Sequence, residues 1–479
     1  MLENAENSLI KQQPERCRQV FMAIAHELRS WDIKNAFGGG LTSAVVYISF
    51  LKFLSDRREK MGIQGSDLFQ FDALCEVYPR VVQQEQILRY LSDVEQQIGF
   101  AEGLISSLLF PKQGKEFDAK FLSALWVAKE LDFTTQELTK AYVRALLDVV
   151  SKLAAEDWKS SGIFYTPVRL SRFLAGILDI RDGMSVYDPC AGIGIALTAA
   201  MWEKKVNVFA QEINVASAAV LEMLLIMSGM SGGRVQCDDS IWSPLTMGIN
   251  ARFDRVICDP PYMKPESGYI NITNSLLKEH ILYYPEERIE DTWIFVRHII
   301  AAMKTGGRAA VVLPMSMLTR EGYAGRTRQR LIEDGYIESV IELPSGVYPS
   351  TNVKMSILVL QKKKAAESIF FLDLSRGLWD DSTVKDDKLA EIVLNREERE
   401  NTSRMVPIAE IIDNGGQLAV ARYIKQSIDM ERFITDSQKL YEDAERFERK
   451  YSMLCSEFKE VLDEYNYYCN KRAGAYDDE

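Results

Sequence analysis

The chain is poor in the residues that hold metals and crosslinks. It has three histidines, and its seven cysteines, at 17, 75, 190, 237, 258, 455 and 469, include no C-x-x-C pair. That leaves no ligand set for a structural zinc and no disulfide framework, so a reduced, cytoplasmic thiol inventory is expected and no metal is assigned. Long hydrophobic runs are also missing. None approaches the ~20 residues that cross a bilayer, and the opening MLENAENSLIKQQPER has no charged-then-apolar leader. The expectation is a soluble protein of the cytoplasm with no membrane partner. Positive charge is the third shortage. Lys and Arg number 57 against 69 Asp and Glu, a formal net charge of −12, which is the wrong sign for a chain that grips DNA phosphates by itself. A nucleic-acid substrate would need a partner to supply much of the grip. Internal repeats and low-complexity segments are absent.

What is present is ample apolar material, 47% of 479 residues, enough for two or three domains with substantial cores. Residues 1–155 read as a helical N-terminal domain. Val20 to Leu28 and Val45 to Leu54 are apolar helical stretches on either side of Gly38-Gly39-Gly40, and further helical patterns fall near 81–98 and 136–154. His26 has no partner nearby in sequence and reads as structural. From 156 to 425 strand and helix signals alternate, which predicts an α/β domain whose parallel sheet is covered on both faces. Residues 426–479 are different in kind. Leu440, Ala444, Phe447, Tyr451, Leu454, Phe458, Val461 and Tyr465 recur in steps of four and three among Glu and Lys, a coiled-coil-like seam that needs a second helix, from its own body or from a partner.

Within the α/β region, Met184 to Asp188 reads as a strand, Pro189-Cys190-Ala191-Gly192-Ile193-Gly194 as a turn and Ile195 to Ala200 as the opening of a helix. Gly192 and Gly194 allow a close backbone approach to a ligand. The next strand, Asn207 to Gln211, ends at Glu212, an acid placed to hold both hydroxyls of a ribose. A dehydrogenase also has a Gly-rich turn followed by an acid. Here, however, the third glycine of G-x-G-x-x-G is missing, and Asp188 at the mouth of the turn would repel a pyrophosphate. The same acid suits the positively charged amino-acid end of S-adenosylmethionine. After the strand Arg234 to Cys237, Asp238-Asp239 could put a carboxylate on the adenine amine of that cofactor, and Asp239 is the favoured one of the two.

The apolar run Phe253 to Cys258 leads into Asp259-Pro260-Pro261-Tyr262. Two prolines stop the sheet and stiffen the loop, which then presents the Asp259 carboxylate, the Pro260 carbonyl and the Tyr262 ring beyond the strand end. That set suits an exocyclic amine whose lone pair is delocalised into a base: two acceptors take its hydrogens while the ring stacks on a base swung out of the duplex. A Pro-rich surface turn is the bland alternative. Met263 to Glu290, with Lys264, Tyr269, Asn271, Lys278 and His280, reads either as a mobile lid over such a base or as a disordered insertion.

Taken together, Gly162-Ile163-Phe164-Tyr165-Thr166-Pro167, Asp188 to Gly194, Glu212, Asp239 and Asp259 to Tyr262 resemble the N6-adenine DNA methyltransferases, and more narrowly the modification subunit of type I restriction-modification systems. Further similar stretches are Phe50 to Asp56, Gly307 to Pro314, Ile341 to Thr351 and Ala421 to Ile424, so the resemblance covers roughly residues 18–425. The chain departs from the family's pattern in having Asp259 where Asn is usual, and Cys190 and Ile193 where small residues are common. The resemblance implies a Rossmann-like S-adenosylmethionine-dependent methyltransferase domain at 156–425. Its mixed, mostly parallel seven-stranded sheet would be closed by Ile337 to Leu343 and Met355 to Leu360, the last strand inserted antiparallel. It implies that Ile163, Phe164, Tyr165, Thr166 and Pro167 close over the cofactor, that Ala191, Gly192, Ile193 and Gly194 line its methionine moiety, and that Asp188, Glu212 and Asp239 hold its charged end, ribose and adenine. Asp259, Pro260, Pro261 and Tyr262 would be catalytic. The implied partners are double-stranded DNA, a separate DNA-specificity subunit and, as a further candidate, a restriction nuclease, with two copies of the chain in a hetero-oligomer. Transfer to another amine, cytosine N4 or a protein glutamine, stays open at this point, as does a non-catalytic scaffold that only binds S-adenosylmethionine.

Overall fold

A computed structural model of the protein describes residues 2–29, 40–62, 115–161, 165–261, 269–270, 278–282, 289–362 and 367–424, apart from short gaps within them. Isolated residues between 71 and 105 and helical turns between 438 and 462 are also described. The chain divides into two compact units, Met1–Ile424 and Lys425–Glu479.

Helices Leu2–Arg29, Gly40–Arg57, Lys115–Ala128 and Gln136–Ser161 pack on one another at the start of the first unit. Gly40–Arg57 is apolar all round and buries nearly its whole length, including Val45, Ile48, Phe50 and Leu51, as a helix without a polar face must. Its outer side meets helix Val215–Met227 of the α/β region. One apolar core consequently runs from Phe21, Ile24 and Leu28 through Val45 and Ile48 to Leu221 and Leu224. Each such side chain contributes about 1.5–3 kcal/mol by burial. Among the described residues no helix is long and apolar enough to cross a membrane.

The sheet is built in chain order from β1 (Ser185–Asp188), β2 (Asn207–Glu212), β3 (Arg234–Cys237) and β4 (Phe253–Cys258). A small ribbon, β5 (Tyr269–Ile270) with β6 (Ile289–Glu290), stands apart from it, and β7 (Met303–Pro314), β8 (Ile337–Glu342), β9 (Met355–Gln361), β10 (Ser368–Asp373) and β11 (Ser403–Pro407) complete it. The spatial order is β11-β10-β8-β9-β7-β4-β1-β2-β3. β7, β4, β1, β2 and β3 are mutually parallel, and β9 enters antiparallel between β7 and β8. The fold class is as expected, but the sheet has nine strands rather than seven. The two extra strands follow from the open edge that β8 would otherwise leave. The run Ile369-Phe370-Phe371-Leu372 pairs with it in parallel, and β11 then covers β10 antiparallel.

β8 carries two glutamates and a serine, yet all six of its residues are buried. Glu338 tolerates this because Arg308 on β7 donates to both its oxygens, at 3.0 and 2.6 Å. From β1 the chain winds outward through β2 and β3 and then returns to β4 on the other side of β1. The crevice beyond the carboxyl ends of β1 and β4 is thus a topological switch point, where open α/β sheets bind their ligands.

Candidate active site

The turn after β1 is held from beneath. Asp188 is buried, and its Oδ1 accepts the Cys190 N–H at 2.9 Å; the Ala191 N–H donates to the Gln211 carbonyl on β2 at 2.9 Å. Gly192 and Gly194 have φ of 55° and 83°, a region that favours glycine. At Gly194 the constraint comes from inside the protein. A Cβ there would lie 2.4 Å from Leu221 Cδ1 and 3.2 Å from Leu221 Cα, so this glycine lets helix Val215–Met227 pack against the turn.

Glu212, at the end of β2, folds back on the same turn. Its Oε2 accepts the Gly192 N–H and its Oε1 the Asn214 N–H, both at 2.8 Å. Asp239 caps its own turn, with Oδ1 accepting from the backbone of Ile241 at 2.8 Å and of Trp242 at 3.1 Å, whereas Asp238 is exposed. Behind this turn Gln211 acts as a strut. It accepts from the Tyr187 hydroxyl and the Leu245 N–H, both at 2.6 Å, and donates to the Ser243 carbonyl at 3.0 Å. Two large apolar side chains flank the strand ends in the open, Ile213 at 68% and Trp242 at 54% exposure.

Across the switch point, Asp259 follows β4. Its Oδ2 accepts two hydroxyl hydrogen bonds, from Thr166 Oγ1 at 2.9 Å and from the Tyr348 phenol at 2.6 Å. Among the described residues Oδ1 has no hydrogen-bond partner. Pro260 is buried and Pro261 exposed. Tyr165, Thr166, Cys190, Ala191, Gly192, Ile193, Ile195, Ala196 and Asp259 line one cleft with about 290 Å³ of empty volume.

The electrostatics of this cleft are acidic. Burial pushes the carboxyl of Asp259 up to about 6, against the opposing effect of the two hydroxyls. Burial, with Asp259 and Glu212 nearby, holds Asp188 well above the usual carboxylate range, and burial also raises Glu212. Among the described residues none of the three forms an ion pair. Three buried acids without a counter-charge suit a cationic ligand and oppose a pyrophosphate. The residues present therefore fit S-adenosylmethionine, whose sulfonium and ammonium are both positive.

Of the residues singled out in the sequence, Tyr165, Thr166, Ala191, Gly192, Ile193 and Asp259 share this cleft, with Asp188 and Glu212 behind the turn. Asp239 lies at the end of β3, outside the cleft lining, and Pro167 precedes helix Val168–Ile177. Ile163, Phe164 and Tyr262 fall outside the described residues, as does most of the stretch 263–290. Of that stretch, His280 is turned into the body, where its Nδ1 lies 2.8 Å from Thr246 Oγ1 and its carbonyl 2.9 Å from His298 Nδ1. Sequence reasoning missed Tyr348 and Trp242. Tyr348 sits in the similar stretch Ile341 to Thr351, and its position in that stretch was the available signal. Nothing in the local pattern marks Trp242.

The profile of the N-6 DNA Methylase family matches residues 144–432. The chain is 26% identical over 372 residues to the type I restriction enzyme MjaVII methylase subunit of Methanocaldococcus jannaschii, covering 71% of this chain and 60% of that one. It is 24% identical over 359 residues to the MpnII methylase subunit of Mycoplasma pneumoniae, covering 70% and 65%. The chain thus spans less than two thirds of the length of these curated relatives. The crystal structure of a type I restriction-modification methyltransferase subunit from Streptococcus thermophilus superposes with a TM-score of 0.70 at 20% identity, over 86% of this chain and all of that one. The fold is shared.

Proposed function

The chain belongs to the N-6 DNA methylase family, and on that premise we propose that it transfers a methyl group from S-adenosylmethionine to the N6 amine of adenine in DNA, as the modification subunit of a type I restriction-modification system. The observation that carries the reading is Asp259. Its Oδ2 is taken by two hydroxyls, its Oδ1 has no partner among the described residues, and the residue lines a cleft shared with the Gly192 turn.

Each part of the chain has a task in this reading. Asp188, behind the turn, would face the positive amino-acid end of the cofactor, the Gly192 turn would line its methionine moiety, Glu212 would hold the ribose, and Ile213 and Trp242 would flank the adenine beside Asp239. Bound there, S-adenosylmethionine supplies an electrophilic methyl. Asp259 Oδ1 and the Pro260 carbonyl accept the two hydrogens of the adenine amine, which returns electron density to the nitrogen and orients its lone pair. Tyr262 is the residue of this loop assigned to stack on the flipped base. The proton then passes to solvent.

The resemblance carries the remaining part of the proposal, supported by relatives named as type I restriction enzyme methylase subunits. As a methylase subunit the chain works beside a specificity subunit that reads the DNA sequence, in a hetero-oligomer with two copies of this chain, within the cytoplasm. Docking is assigned to the C-terminal helix, on which Phe447, Tyr451, Leu454, Phe458 and Val461 are all exposed. The test is to incubate the protein, with and without its co-purifying partner, with methyl-labelled S-adenosylmethionine and unmethylated amplified genomic DNA, and to identify the modified nucleoside. N6-methyladenine formed with the partner is the expected product. Label in cytosine or in protein, or cofactor binding without transfer, overturns the proposal.

A further inference from the structure

We infer that the hydroxyls of Tyr348 and Thr166 are positioning groups that fix which oxygen of Asp259 faces the substrate, so that Oδ1 meets the reacting amine as a pure acceptor. The inference rests on the methyltransferase reading above.

Three distant segments meet at this carboxylate. Thr166 precedes Asp259 by 93 residues and Tyr348 follows it by 89, yet both hydroxyls donate to the same oxygen, at 2.9 and 2.6 Å. Two donors fill the lone pairs of Oδ2. A proton added to this carboxylate then has one open place, Oδ1, where it would turn the acceptor into a donor pointing at the amine's own hydrogens. The same two hydroxyls favour the charged form and work against the burial that holds Asp259 up at about 6. The other titratable groups around it are Asp188 at the end of β1 and Cys258 at the end of β4, with Glu212 and Cys190 behind them and Tyr165 beside Tyr348. Each adds negative charge or none when it ionises, so among the described residues the two hydroxyls are the groups that favour the carboxylate.

The arrangement also suits an aspartate at this position better than an asparagine. An amide has one accepting end and one donating end. Facing two hydroxyl donors it would turn its oxygen toward them and its NH2 toward the substrate, donor against donor. Asp259 has no such conflict, because both of its oxygens accept.

The experiment follows single-turnover methylation by the complete complex at saturating S-adenosylmethionine and unmethylated amplified genomic DNA, across pH 5 to 9. Wild type should lose rate as pH falls through the Asp259 titration. Tyr348→Phe, which removes one donor and keeps the ring, should move that acid limb upward by about one pH unit, since a hydrogen bond to a charged group is worth about that much, and Thr166→Val should move it the same way. Asp259→Asn should lower the rate by about 100-fold or more, and adding Tyr348→Phe and Thr166→Val to it should recover about tenfold, because the amide is then free to turn. A loss of rate through misfolding moves no limb and gives no recovery. Acid limbs that superpose on wild type, or Asp259→Asn working at full rate with both hydroxyls in place, would overturn the inference. Absence of transfer by the wild-type complex would overturn the methyltransferase reading beneath it.

Discussion

At Glu212 one side chain ties the end of β2 to the turn after β1 through the Gly192 N–H and steadies its own following turn through the Asn214 N–H. Glu212→Ala removes that tie together with the acceptor proposed for the ribose. Charge-assisted hydrogen bonds are worth about 1.5–3 kcal/mol, so S-adenosylmethionine should bind roughly 10- to 100-fold more weakly in calorimetric titration. Asp259→Ala should leave the affinity nearly unchanged; the reverse order would refute the assignment of the two acids. The titration has a pH signature of its own. Asp188, Glu212 and Asp259 are all raised, so the free protein binds protons here that the unfolded chain has lost. For Asp259 that contribution to stability is full below about pH 4 and is lost as pH rises through about 6, and Asp188 and Glu212 act in the same direction. A cation in the cleft lowers Asp188 and Glu212. Protons should leave on binding, seen as a dependence of the heat on the buffer's ionisation enthalpy, and affinity should climb as pH rises. Gly194 makes a different prediction. With φ of 83° and Leu221 Cδ1 2.4 Å from where a Cβ would lie, Gly194→Ala should cost about 1–3 kcal/mol and lower the thermal midpoint.

Among the described elements, the C-terminal helix carries an exposed apolar stripe. Ala444, Phe447, Tyr451, Leu454, Phe458 and Val461 step by three and four, and Phe447 and Phe458 are 72% and 68% exposed. Buried aromatic anchors dominate association energies, so Phe447→Ala with Phe458→Ala should abolish co-elution with the partner while the thermal midpoint of the body stays at its wild-type value. Co-elution at wild-type affinity would place the docking elsewhere. The stripe itself was legible in the sequence, because a 3-4 repeat needs no tertiary information. So were β1, β2, β3, β4, β7, β8 and β9, most of them runs rich in apolar residues that end at turn residues. β10 and β11 were not anticipated: seven strands satisfied the resemblance, and that β8 needed a neighbour is a property of the assembled sheet. The site was legible where chemistry sits in consecutive residues, as in Asp188 to Gly194 and Asp259 to Pro261. It was opaque where partners come from afar. The bond from Tyr348 to Asp259 spans 89 residues, and the role of Gln211 as a strut depends on three groups that no local pattern brings together.

For the molecule as a whole, charge sets the division of labour. A net charge of −12 and a pI of about 5.1 leave little counterion release to favour DNA. The isolated chain should bind duplex DNA no more tightly than the non-specific range of about 10⁻⁴–10⁻⁶ M at physiological salt, and the partner should restore a defined site. A nanomolar footprint by the chain alone would contradict this. The place of β9 bears on a different stage of the protein's life. It lies between β7 and β8, so the edge of β7 stays unpaired from the time Pro314 is made, and that of β8 from the time Glu342 is made, until Gln361 is made, 47 residues after Pro314. At ~5–20 residues per second that interval is about 2–10 s. A nascent chain in this interval carries an open slot the width of one strand, and on a crowded polysome the nearest strand able to fill it belongs to a sister chain. Overproduction at high temperature should therefore be limited by this slot, with inclusion bodies forming from chains that have not yet closed it rather than from unfolding of the finished protein.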